Sequence, residues 1–146
     1  MVDGVVVTPL RVISLDKGDV MHCIKSSDAS FVGFGEAYFS IVNYGQVKGW
    51  KKHTEMTMNI VVPEGDVQFV IYDDRETSST YQRFFSIILG KSNYCRLTVP
   101  SGLWVAFKGL GSATNLLMNF ADIEHQPEEA ITRPVDSILF NWGNDE

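Results

Sequence analysis

The sequence predicts an all-β protein, a sandwich or barrel of short strands, and three observations carry the prediction. Segments rich in β-branched and aromatic residues recur at short intervals, turn-forming residues separate them, and the best helical candidate is only a turn or two long. Strands are expected at residues 20–24, 38–43, 59–62, 67–72, 81–89, 95–99, 104–110 and 115–120. Between them Pro63-Glu-Gly-Asp66, Gly90-Lys-Ser-Asn93, Pro100-Ser-Gly102 and Gly109-Leu-Gly-Ser112 place Pro, Gly or Asn where φ must be fixed or positive. Val67-Gln-Phe-Val-Ile-Tyr72 has only Gln68 as a polar residue, so it reads as a central strand covered on both faces, or on one face by a second subunit; a homodimer is expected from that surplus. The helical candidate is residues 126–131, where Pro127 stands near the start and Glu128 and Glu129 suit a helix N-terminus. The acidic end, Asn144-Asp-Glu146, is expected to fray.

A chain of 146 residues can bury one core, so residues 1–146 are expected to form a single domain. Its formal charge of −6 excludes a general nucleic-acid binder, which needs a basic stripe. No run approaches the ~20 apolar residues of a membrane span, and no leader pattern precedes the first strand, so a cytoplasmic protein without membrane contact is expected. Cys23 and Cys95 are too few and too far apart for a disulfide framework or a metal knuckle.

Catalytic chemistries are then narrowed by what is missing. The three histidines, His22, His53 and His125, lie on separate segments with no His-x-His pair, so no metal site is expected and no cofactor is called for. There is no Gly-x-Ser-x-Gly elbow, and Gly90-Lys-Ser92 lacks the first glycine of a phosphate-binding loop because Phe85 stands there. Proton transfer survives, because it needs only a positioned base, an acid and a cation to hold an enolate. The segment from Lys48 to Asn59 concentrates these groups. In an extended segment Lys51, His53 and Glu55 share one face, with Lys48, Trp50 and Lys52 on the other; a bulge would reverse that assignment. His53 and Lys51 are the candidate proton carriers, His53 because imidazole titrates near neutrality and Lys51 as a base or as the cation beside the enolate. Trp50 and Trp104 read either as core aromatics or as stacking surfaces for a base or sugar, and Arg75 either as a local partner of Asp73 and Asp74 or as a diphosphate ligand.

The order of these pieces resembles the dTDP-4-dehydrorhamnose 3,5-epimerase family, in particular its short sugar-nucleotide branch found with polysaccharide genes. The resemblance runs from about Gly35 to Trp142 and rests on Gly35-Glu-Ala-Tyr-Phe-Ser40, Val47-Lys-Gly-Trp50, His53 with Met56-Thr57, Val70-Ile-Tyr-Asp-Asp-Arg75, Pro100-Ser-Gly-Leu-Trp104 with Phe107-Lys-Gly109, His125-Gln-Pro-Glu-Glu129 and Phe140-Asn-Trp142. It implies an antiparallel cupin jelly roll with a short helical turn near the C-terminus, a metal-free homodimer, and action on a dTDP- or CDP-linked 4-keto-6-deoxyhexose. In that chemistry a base removes a proton beside the ketone and an acid returns one on the other face. The implied substrate contacts are Lys48, Trp50, Arg75 and Trp104, with His53 and Lys51 catalytic. This chain departs from the family's pattern at several places: Lys51 stands where the base histidine is usual, Met58 where a lysine is, Val105 where a histidine is, and the usual acid tyrosine has no match near residues 117–120. Three readings therefore remain: an epimerase using His53, an enzyme making a single inversion, and a catalytically silent cupin that binds a nucleotide sugar or a partner enzyme.

Overall fold

A computed structural model describes residues 1–143; the acidic end at residues 144–146 lies outside the described residues. One antiparallel sheet runs, in spatial order, β1 (Val6–Pro9), β9 (Cys95–Val99), β6 (Met58–Glu64), β11 (Leu116–Ala121) and β4 (Glu36–Ile41). The second runs β12 (Ala130–Thr132), β5 (Val47–His53), β10 (Trp104–Gly109), β7 (Asp66–Tyr72) and β8 (Phe84–Gly90), and a small ribbon pairs β2 (Val12–Ile13) with β3 (Val20–Met21). Spatial neighbours are mostly not consecutive in sequence, which is the wiring of a jelly roll.

The alternation of side chains explains how the sheets close on one another. Val67, Phe69 and Ile71 on β7, Leu97 and Val99 on β9, and Ile60 and Val62 on β6 all belong to one buried cluster between the sheets. Val70 and Tyr72, the intervening residues of β7, point the other way into a second cluster with Trp50, Trp104 and Ala106. That outer cluster is roofed by the chain's own C-terminal segment, through Ile138, Phe140 and Trp142. The apolar surplus on β7 is thus covered from both sides within one chain, and it does not call for a second subunit. No helix among the described residues is long and apolar enough to cross a membrane.

Near the C-terminus the structure corrects the sequence reading. Residues 126–131 do not form a helix: one turn closes with Glu129 N–H donating to Gln126 O, and the chain then enters β12. The short helical turn lies further on, at Val135–Ser137, where Pro134 precedes its first residue. The charge pattern of Glu128 and Glu129 misleads because the Glu129 carboxylate caps amides of another segment, the loop after β5, in place of its own helix.

Candidate active site

A cavity of about 370 Å³ lies between the two sheets. Its position follows from β5, which carries three of its polar residues. On β10, Val105 pairs with Lys51 and Phe107 pairs with Lys48, so three steps along β5 match two along β10. The extra residue is a bulge, and it inverts the alternation of side chains on its N-terminal side. Lys48 therefore joins Lys51 and His53 on the cavity face, while the Trp50 indole and Lys52 point to the outer side, Trp50 still bordering the hollow. The bulge needs Gly49: its φ is +147°, and a Cβ there would stand 2.4 Å from the Cβ of Ala106.

His53 is buried, 5% exposed, and its Nδ1 lies 2.5 Å from Oε1 of Glu129. The carboxylate is itself fixed by backbone amides, Thr54, Glu55 and Met56 donating to its other oxygen at 2.9, 2.9 and 3.0 Å. Thr54 Oγ1 adds a bond to the Glu129 carbonyl at 2.7 Å, and β12 pairs with β5 so that Ala130 lies opposite His53. Burial pushes the Glu129 carboxyl up, but the His53 hydrogen bond and the Glu55 and Met56 amides outweigh it and hold the group down at about 2. A carboxylate on Nδ1 fixes the ring and the tautomer, and leaves Nε2 as the atom for proton exchange with a ligand.

Around this dyad the walls separate by chemistry. The lysines supply positive charge: Lys48 Nζ donates to Ile41 O at 2.6 Å and to Ser40 Oγ at 3.2 Å, and the Lys51 side chain is exposed with no hydrogen bond or ion pair to another described residue. Met58, Ile60, Val105, Phe107 and Leu117 form the apolar part of the lining. No acidic side chain lines the cavity, so an acidic protein holds one electropositive hollow. Among the described residues no group of three His, Cys, Asp or Glu side chains is placed to hold a metal ion.

The structure brings His53, Lys51 and Lys48 together, as the sequence indicates, though Lys48 comes from the face it was not expected on. Glu55 is exposed and is not part of the lining. Two expected substrate contacts, Trp104 and Arg75, do not line the cavity, and the third, Trp50, borders it with its indole engaged elsewhere. The Trp50 indole lies in the outer cluster and donates to Val135 O at 3.0 Å. Trp104 is 1% exposed, donates to Asp74 Oδ2 at 2.9 Å, and is flanked by Lys52 and Arg133 at 4.8 and 4.7 Å from its ring centre. Arg75 makes a two-pronged contact with Asp73, Nε to Oδ1 at 2.8 Å and Nη2 to Oδ2 at 2.9 Å, and does not line the cavity. Trp104 and Arg75 thus lie away from the hollow, whereas Trp50 still borders it although its indole is engaged in the outer cluster. Sequence reasoning missed the pairing of Glu129 with His53; the only local signal was the Ala-Ile-Thr run after Glu129, short enough to be an edge strand.

This geometry sits on a recognisable family. A model of the dTDP-4-dehydrorhamnose 3,5-epimerase family matches residues 1–145. The chain belongs to that family. A solved dTDP sugar isomerase from Desulfovibrio desulfuricans G20 superposes with a TM-score of 0.94 at 37% identity, over 99% of this chain and 94% of that one. A probable low-salt glycan biosynthesis epimerase of Haloferax volcanii is 29% identical over 97% of this chain and 94% of its own length. The spore coat polysaccharide biosynthesis protein SpsL of Bacillus subtilis is 26% identical over 99% of both chains. The 3′-monoepimerase ChmJ of Streptomyces bikiniensis shares the fold, with a TM-score of 0.89 at 14% identity.

Proposed function

We propose that the protein epimerises a nucleotide-linked 4-keto-6-deoxyhexose, carried on dTDP or CDP, by removing a proton beside the ketone and returning one. The observation that carries this reading is a buried histidine, oriented by a carboxylate, inside a hollow whose only charged side chains besides it are lysines. His53 Nε2 takes the proton, Glu129 stabilises the imidazolium that forms, and the enolate develops among the ammonium groups of Lys48 and Lys51. Electrostatic stabilisation of that kind is worth about 3–4 kcal/mol per well-placed donor. The apolar lining suits the sugar's methyl group and ring carbons. At about 370 Å³ the cavity is near the small end of ligand sites, so the sugar enters and the nucleotide diphosphate lies over the exposed mouth, where Lys51 has a free charge to offer.

Membership of an epimerase family and relatives named for glycan and polysaccharide biosynthesis support a place in deoxysugar supply for a surface polysaccharide, lipopolysaccharide O-antigen included, in the cytoplasm. A homodimer fits the exposed Phe39 and Ile41 on edge strand β4. Binding without turnover is the second reading, favoured by Lys51 and Val105 standing where the family usually has histidines.

Proton NMR of dTDP-4-keto-6-deoxyglucose and of its CDP counterpart, incubated with the protein in deuterated water, decides between them. Loss of the C3 or C5 proton signal is expected and names the carbon. Line broadening with both signals intact would establish the binding protein.

A further inference from the structure

Inversion needs a second proton source on the far side of the ring from His53, and the cavity walls contain one. We infer that Tyr38 is the proton donor of this site; the inference rests on the reading of His53 as the base. His53 stands on β5 of one sheet and Tyr38 on β4 of the other, and both line the cavity between them. A flat enolate held in that space has one face toward each.

The surroundings of Tyr38 suit a donor. It lies directly opposite Asn119 in the pairing of β4 with β11, and Asn119 Nδ2 donates to its hydroxyl oxygen at 3.2 Å. The same Nδ2 lies 3.8 Å from the Met56 sulfur, which fixes the amide with its N–H side toward the tyrosine. The phenol oxygen is therefore an acceptor in that bond, and its own proton is free to be given to a ligand. The amide bond remains when the oxygen is left as phenolate. Lys48 Nζ is tied to Ser40, two residues along β4, and all three residues line the cavity, so an ammonium group shares the wall with Tyr38. Asn119 is 1% exposed and has its Oδ1 without a partner; its rigid placement makes it the positioning residue for the tyrosine.

The step balances without a co-reactant. His53 Nε2 gains the C–H proton and the C–H electron pair passes into the enolate. The enolate carbon then forms a bond to the Tyr38 proton on the opposite face, and the O–H electron pair stays on the phenolate. The phenolate regains a proton from solvent and the imidazolium releases one.

Tyr38→Phe tests this with two readings from one NMR sample in deuterated water. Tyr38 is 41% exposed, so losing the hydroxyl opens no cavity in the core. Inversion is expected to fall by about 100-fold or more, while deuterium still enters the unreacted sugar, because His53 returns solvent deuterons to its own face. Inversion at the wild-type rate would overturn the assignment, as would an equal fall of exchange and inversion, which would make Tyr38 a positioning residue. A wild-type protein showing no exchange at all would instead remove the base, and with it the reading on which the donor depends.

Discussion

The two faces of the β5–β10 pair carry cations in opposite circumstances. On the outer face Lys52 is bonded to Asp74 at 2.6 Å, and Lys52 and Arg133 lie against the Trp104 ring. Burial pushes the Asp74 carboxyl up, but the Lys52 and Trp104 hydrogen bonds prevail and lower it. On the cavity face Lys48 meets only neutral oxygens and Lys51 no described partner at all. The difference teaches where to look for function in a small β-sandwich. A cation neutralised within the chain holds the fold, whereas one left without a carboxylate in a hollow is kept for an incoming anion.

Breaking the outer face should unfold the protein without altering its chemistry. Trp104→Ala removes a fully buried indole together with its hydrogen bond, and a loss of about 3–5 kcal/mol in chemical denaturation is expected, with sugar binding by the folded fraction unchanged. Arg75→Ala sharpens the same point. Its guanidinium holds the Asp73 carboxyl well below the usual carboxylate range, and Asp73 is fully buried. Ser78 and Thr80 hydroxyls remain on that carboxylate at 2.6 and 2.7 Å. A stability loss of about 2–4 kcal/mol is expected, with KM unmoved; a raised KM would return Arg75 to the substrate.

Glu129 belongs to both sides of the comparison, since it anchors the loop after β5 and holds the His53 ring. Glu129→Gln should slow turnover by about 10–100-fold, read in kcat. It should also change the acid unfolding profile. The carboxyl is held at about 2 against 4.5 for the free group, so its contribution is complete above pH ~4.5 and is lost as pH falls toward 2, a term of about 3 kcal/mol. An acid titration followed by circular dichroism should be shallower over that window in the variant. Lys51→Ala has the smallest structural consequence: stability within about 0.5 kcal/mol of wild type, with turnover slowed by the loss of one ammonium group beside the enolate and a KM for the nucleotide sugar raised several-fold in a way that weakens with added salt.

The fold was legible because β-branched runs and proline–glycine turns leave little alternative, and residues 95–99 coincide with β9. The site was legible only in part. His53 and Lys51 announce themselves by chemical type, but the face on which Lys48 falls depends on a one-residue bulge at Gly49, which periodicity does not encode. The Glu129 partner lies 76 residues from His53, and Tyr38 meets Asn119 only through strand pairing, so neither pairing leaves a local pattern. Arg75 shows the converse limit: residue type suggested an anion site, and its neighbour Asp73 had already taken the charge.

Deuterium wash-in to dTDP-4-keto-6-deoxyglucose by His53→Asn beside wild type tests the proposed base by its own chemistry. Asparagine can still donate to Glu129, which keeps the buried carboxylate satisfied. The variant is expected to fold and bind the nucleotide sugar but to exchange about 1,000-fold more slowly. Exchange within a few-fold of wild type would contradict the proposal and would move the base to Lys51.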